Sequence, residues 1–287
     1  MPNEQRDTTG CILRNVPRAT VVIPMYNAAV TIGQQLDALA GQTVSDFEVV
    51  VADNGSTDDG PSIVAAHRVG ARLVDASQQR GPGHARNVGS AAASGERLLY
   101  CDADDVADPH WVEALSGALD TWDLVGGHIE LRLLNPKNRR GLGPATAMLS
   151  AKPLPFWASS NLAIRRSVLR EIGGWGHSRG AEDVELCWRA QLAGFSLGYE
   201  ESAIMHCRRR STLRAHVAQL YNQAYTSVAV RAQFPQFGPP PMVSRWRFAG
   251  WMIKSSPLLL RGPDRGAWVG GVARRLGSER AVRDLFS

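Results

Sequence analysis

From Thr20 onward the chain alternates short apolar runs with helix-period segments. Val21–Ile23, Phe47–Ala52, Ala71–Val74 and Arg97–Cys101 read as strands. Between them lie a helix with Ile32, Leu36 and Leu39 on one face, a second over Ser56–Arg68, and a third over His84–Ala93. The third is faced with Ala85, Val88 and Ala92, small enough for close packing on a sheet. Strand–helix alternation of this kind predicts an α/β fold: a mostly parallel, Rossmann-like central sheet flanked by helices. In such a sheet, ligands bind in the crevice outside the carboxyl ends of the strands. Here polar or acidic residues directly follow the first, second and fourth runs.

Asp108-Pro109 predicts the start of a further helix, with Asp at the N-cap and Pro at the first helical position. Leu124–Leu134 reads as a strand, and the Gly-, Pro- and Lys/Arg-rich stretch 135–155 as a long functional or disordered connection. Phe156–Arg165 reads as a strand and Ala181–Ala193 as a helix. Phe195–Tyr199 and Ala203–His206 read as two short strands. The predicted organisation is a polar lead-in over 1–17, a main α/β unit over 18–212 whose pattern changes after about 125 (halves 18–125 and 126–212), and a helical, basic C-terminal extension over 213–287.

With 287 residues, 44% apolar and 21% charged, the chain has the composition of a globular protein with a full core. Cys11, Cys101, Cys187 and Cys207 show no metal-ligand spacing, and Cys101 and Cys187, in apolar contexts, point to buried free thiols in a reducing compartment. No signal-peptide core and no apolar run of membrane-spanning length are present, so a cytoplasmic location is expected. The net charge of +5 is concentrated at Arg208–Arg210 and along 261–283. Between these basic stretches, Trp246, Phe248 and Trp251 interleave with Arg245, Arg247 and Lys254, a mixture suited either to core packing or to peripheral contact with an anionic membrane. Retention on anionic liposomes at low salt is the corresponding test. No nucleic-acid partner is expected.

The strand ends carry the chemistry. Asp102 and Asp104 alternate, and in extended backbone alternate side chains share a face. Two carboxylates there suit Mg²⁺ or Mn²⁺, which are held by one or two carboxylates plus water and phosphate oxygens; such acids also serve as ordinary turns and caps. Asp53 in Asp53-Asn54-Gly55-Ser56 stands either as an acceptor for a base or ribose or as part of a tight turn. Pro24, Tyr26 and Asn27 close the first strand, and Tyr26 offers a ring face and a hydroxyl to a nucleotide. The Gly81–Asn87 segment is no dinucleotide fingerprint, because Arg86 occupies the third glycine position; Arg86 is a cation for a diphosphate or a surface charge. Glu182 and Asp183 open a helix after a glycine-rich segment, as dipole partners or with Asp183 as a general base. His206 stands as a metal ligand or a structural histidine.

The ordered set VVIPMYN (21–27), DNGSTD (53–58), HARNVG (84–89), CDADD (101–105) and GAEDVELCWRAQLAGF (180–195) resembles the family 2 glycosyltransferases over about Ala19 to Cys207. The resemblance implies the GT-A fold and an inverting, metal-dependent hexosyltransferase using a nucleotide-diphosphate sugar. By position it implies Pro24, Tyr26, Asn27 and Asp53 at the nucleoside, Arg86 near the diphosphate, and Asp102 at the ribose or metal. Asp104 would coordinate a divalent ion (Mn²⁺ or Mg²⁺), with His206 completing the site. Asp183 would be the base with Glu182 beside it. Processive members carry QxxRW and membrane helices; Met242–Trp246 has Met in place of Gln, so transfer of a single sugar is expected. The acceptor hydroxyl could belong to a saccharide, a lipid-linked or a small molecule. A nucleotidyltransferase is the alternative enzyme, disfavoured by the lack of a Gly-rich triphosphate loop after the first strand. A non-catalytic nucleotide-sugar-binding protein is the other alternative.

Overall fold

A computed structural model describes residues 16–135, 153–176, 180–209, 212–240, 244–256 and 265–286. The expected connection over 135–155, the Met242 end of the QxxRW-like segment, and Arg210 and Cys11 therefore lie wholly or mainly outside the described residues.

Eight strands form one sheet in the order β3-β2-β1-β4-β7-β6-β8-β5. The strands are β1 (Ala19–Met25), β2 (Phe47–Asp53), β3 (Arg72–Asp75), β4 (Arg97–Tyr100), β5 (Val106–Ala107), β6 (Leu124–Glu130), β7 (Leu162–Arg165) and β8 (Leu197–His206). β3, β2, β1 and β4 run parallel, whereas β7 pairs antiparallel with both β4 and β6, and β5 antiparallel with β8. The helices α1 (Ile32–Ala40), α2 (Gly60–Ala66), α3 (Pro82–Ala92), α4 (Trp111–Ala118), α5 (Arg166–Glu171) and α6 (Glu182–Leu192) cover the sheet. The C-terminal helices are α7 (Leu213–Ala232), α8 (Arg245–Ser255) and α9 (Arg265–Phe286). None of the described helices is long and apolar enough to cross a membrane.

The continuous apolar runs are explained by burial on both faces. Val21, Ile23, Leu99 and Cys101 join one core with Ile32, Leu36, Trp111 and Leu115, while Val22, Leu98 and Tyr100 join the other with Trp175, Leu186 and Cys187. A Cβ on Gly89 of α3 would come within 2.5 Å of Val22, so the small-residue face of this helix does allow a close approach.

Several elements differ from expectation for local reasons. Asp108 does not cap α4; its Oδ1 accepts from the His110 N–H in a preceding turn, and the helix starts at Trp111. The segment from Phe156 is irregular, with a short 3-10 turn at Ser159–Asn161, until β7 begins at Leu162. The two short strands expected after 195 are one strand, β8, whose pairing with β6 shifts register at Gly127/His128. β5 and α5 are too short to show a period.

Asn161, 1% exposed, fastens the two halves. Its Oδ1 accepts from Trp111 Nε1 at 2.8 Å, and its Nδ2 donates to the carbonyls of His128 (3.0 Å) on β6 and Ala203 (2.9 Å) on β8. Gly127 leaves room for this amide, since a Cβ there would sit 2.5 Å from Nδ2. Asn161→Ala strands a buried indole N–H and two carbonyls, so a loss of about 3 kcal/mol is expected in urea unfolding. A change below about 1 kcal/mol would show that the network does not hold β6 and β8.

Candidate active site

β1 lies between β2 and β4, and the chain leaves it toward β2 and β3 before α3 brings it back to β4. The β1/β4 boundary is thus a topological switch point, where a crevice opens at the carboxyl ends of the strands. A cleft of about 690 Å³ occupies it, lined by Pro24, Tyr26, Asn27, Asn54, Arg80, Arg86, Asp102, Asp104 and Glu182, among others.

One wall is a turn network. Asn27 takes φ 50°, a left-handed conformation that Asn tolerates, and its Oδ1 accepts from Thr57 N–H at 2.8 Å. Asp53 accepts from Ser56 N–H at 3.1 Å, its turn role, and is not among the residues lining this cleft. Its neighbour Asn54 lines the cleft instead: Nδ2 donates to the carbonyls of Ala76 and Gln79, and Oδ1 accepts from Gly81 N–H. Asn54 thereby shapes the loop carrying Arg80, whose guanidinium lies 5.4 Å from the centroid of the half-exposed Tyr26 ring.

Arg86 on α3 is buried at 2% exposure. Nη1 donates to Glu182 Oε1 and Nη2 to Asp102 Oδ1, each at 2.9 Å, and the guanidinium sits 4.9 Å from the centroid of the Trp175 ring. Burial works against its charge, but Asp102 and Glu182 outweigh burial and hold its pKa above the ordinary value. Arg86 therefore joins the end of β4 to the head of α6.

Asp102 and Asp104 do not share a face through strand alternation. The chain turns here, with Asp105 N–H reaching Asp102 O at 3.4 Å, and the turn gathers Asp105 as well. Carboxylate oxygens of Asp102, Asp104 and Asp105 lie within 4.8 Å of one another. Burial, then the charges of Asp102 and Asp104, push Asp105 up to about 8. An all-oxygen donor set whose members repel one another fits a hard divalent cation. Asp105 Oδ2 accepts from Cys207 Sγ at 3.1 Å, and its Oδ1 from Arg208 N–H at 3.0 Å.

His206 is not in this set. Its Nδ1 pairs with Glu130 Oε2 at 2.9 Å and its Nε2 lies 4.0 Å from Asp108, while Cys207, one residue on, faces the acids. Although burial opposes it, hydrogen bonding from His206 and from the Leu133 and Arg132 N–H groups lowers the Glu130 pKa to about 2. This histidine is hydrogen-bonded to Glu130 on the neighbouring strand, apart from the aspartate set.

Glu182 and Asp183 divide their work. Glu182 is taken up by Arg86 and by Gly180 N–H (3.0 Å). Asp183 accepts from Val184 N–H at 2.9 Å and opens into a second cleft of about 470 Å³. Burial, then the neighbouring Glu182 charge, raise Asp183 to about 6, against the pull of Val184 N–H and Arg86. The two clefts meet at Asp102, Asp104, Ser159 and Glu182. Arg86→Leu leaves Glu182 buried without its partner, so a loss of about 3–5 kcal/mol is expected in chemical unfolding. Arg86→Lys, keeping the charge without the fork, should recover part of it; equal stability of all three proteins would contradict the bridging role.

Residues 20–173 match the family described as glycosyl transferase family 2, and residues 98–259 match glycosyl transferase family group 2. The pre-mycofactocin glycosyltransferase of Mycobacterium tuberculosis is 29% identical over 254 residues, 82% of this chain and 52% of that protein. The chain thus spans about half the length of that curated relative. Among solved structures, the mannosyltransferase PcManGT from Pyrobaculum calidifontis, in complex with GDP-Man and Mn²⁺, superposes with a TM-score of 0.69. It is 22% identical, with 93% of this chain and 88% of that one covered. The glucosyl-3-phosphoglycerate synthase of Mycobacterium tuberculosis, in complex with Mn²⁺, UDP and glucosyl-3-phosphoglycerate, gives a TM-score of 0.57 at 22% identity, with 78% of this chain and 81% of that one covered. The fold is accordingly of the GT-A type, and with more than half its length inside the match the chain belongs to glycosyl transferase family 2.

Proposed function

We propose that this chain transfers a single sugar, with inversion, from a nucleotide-diphosphate sugar to an acceptor hydroxyl. The observation that carries the reading is the meeting of two clefts at one acidic junction: a nucleotide-sized cleft on the β1/β4 side and a second cleft that holds Asp183. A divalent ion held by Asp102, Asp104 and Asp105 would supply positive charge to the departing diphosphate.

The chain's own residues account for the remaining steps. Tyr26, Asn54 and Arg80 line the larger cleft and hold the nucleoside end of the donor. Asp183 takes the proton from the acceptor hydroxyl, whose oxygen attacks the anomeric carbon as the bond to the diphosphate breaks on the opposite face. One displacement inverts the centre and needs no covalent intermediate. Glu182 and Arg86 act as positioning residues: their ion pair fixes the head of α6, and Arg86 keeps Asp183 from rising further.

Asp183→Asn is expected to lower kcat by a factor of about 10²–10⁴ while binding of the nucleotide sugar survives; normal turnover would remove Asp183 from this role. The acid limb of the rate profile should fall near pH 6, since the base must be ionised. The linked stability effect has a definite sign. The folded pKa lies above the ordinary carboxylate value, so the contribution of protonated Asp183 is complete below about pH 4 and is lost as pH rises through about 6. Asp183→Asn escapes that loss, and its thermal midpoint relative to the unmodified protein should rise between pH 4 and pH 8. A pH-independent difference would contradict the raised pKa.

A further inference from the structure

The second cleft is polar and lopsided in charge, and its far wall comes from the C-terminal helices. Gln219, Gln223 and Ser227 of α7 line it at four-residue spacing, so they form one face across from Asp183. That face has a fixed seat. Trp188 of α6 packs edge-on against Phe234 (5.5 Å) and Phe237 (5.3 Å), and Val184 and Val230 are buried with them. The helix that carries Asp183 and the helix that carries the glutamines are therefore held by one aromatic cluster. Ser227 Oγ donates to the backbone carbonyl of Gln223, leaving the carboxamide out of that bond. Among the described residues, neither the Gln219 nor the Gln223 carboxamide has a hydrogen-bond partner. A carboxamide donates and accepts without charge, which matches sugar or polyol hydroxyls.

The charges point the same way. Asp102, Asp104, Asp105, Glu182 and Asp183 all line this cleft, and Arg208 is the cation among its described lining residues. The Arg208 guanidinium is turned to Gln34 of α1, with which it is hydrogen-bonded. Arg86, just behind, is committed to Asp102 and Glu182. A divalent ion at the aspartates and the donor diphosphate would largely cancel each other. Among the described lining residues acids outnumber the one cation, so a phosphorylated or carboxylated acceptor entering here meets an excess of like charge, and such juxtaposition is unfavourable.

We infer that this cleft selects an uncharged, polyhydroxylated acceptor, a saccharide or sugar-alcohol end, and that Gln219 and Gln223 of the C-terminal extension are its specificity-determining residues. The inference rests on the glycosyltransferase reading above. It makes α7 a working wall of the site, although the helix lies beyond the segment that matches the first family description.

The test is a competition within one reaction. The full chain is given nucleotide sugars with Mn²⁺ and an equimolar mixture of neutral methyl hexosides and the matching hexose 6-phosphates. Glycosylated products are counted by mass spectrometry, and released nucleoside diphosphate is measured in parallel. Neutral products should exceed phosphorylated ones by about tenfold or more, as expected for a site whose polar groups must be paired. Gln219→Ala should lower kcat/KM for the neutral acceptor by about tenfold, the scale of one good hydrogen bond. Gln223→Lys should move the neutral-to-phosphate ratio by about tenfold toward the phosphate. That ratio is internal to each protein and is unaffected by partial unfolding. Preferred transfer to the hexose phosphates overturns the acceptor class. So does diphosphate release with no transfer to the neutral hexosides, or a ratio that Gln223→Lys leaves unmoved. Absence of diphosphate release from every donor overturns the parent reading, and the acceptor inference falls with it.

Discussion

A guanidinium with 2% exposure would be costly to bury alone, and the Arg86 side chain is stable where it is because two carboxylates from distant elements close on it. Asp102 stands at the end of β4, and Glu182 opens α6, which follows β7 and α5 in the chain. The β4–β7 ladder joins the two halves of the sheet, and the pair of 2.9 Å contacts fixes the head of α6 against the carboxyl end of β4. Trp175, with its ring against both Arg86 and Tyr100, closes the space beside it. The acids that face the two clefts owe their placement to this bridge.

The geometry that follows is a division of labour among five acids. Glu182 is spent on structure, which leaves Asp183 as the acid at the head of α6 with a raised pKa and access to a cleft. Asp102 is shared between Arg86 and the aspartate set, so the site for a cation and the anchor of the base helix are one hydrogen-bond step apart. Asp105 lies deepest, tied to the Cys207 thiol and the Arg208 N–H at the end of β8. Asn161 holds β8 in the register that delivers those partners.

Much of this arrangement was readable before any coordinates. The strands β1, β2 and β4 announce themselves because they are buried on both faces, and the polar residues after β1 and β4 fall in the crevice as expected. Other parts depended on one-residue geometry that spacing does not carry. Alternation put Asp102 and Asp104 together, but a turn gathers Asp105 too. His206 and Cys207 are adjacent in extended chain and so point oppositely; the histidine pairs with Glu130 and the cysteine meets the acids. Spacing leaves Asp53 open between a ligand contact and a turn residue; its side chain makes the turn bond to Ser56, and the next residue, Asn54, lines the cleft. The Asn-Gly turn signal was the available hint. Gln219 and Gln223 had no signal, since polar residues on a helix are ordinary until a cleft is found beside them.

The most direct measurement of the central claim is thermal unfolding of the full chain against UDP-, GDP- and dTDP-sugars, each with and without Mn²⁺. A ligand that binds only the folded protein raises the midpoint by mass action. The account predicts a rise of several degrees with one nucleotide sugar, present with Mn²⁺ and lost on its removal, and absent in Asp104→Asn. A well-folded protein whose midpoint no nucleotide sugar moves, with or without the ion, would contradict it.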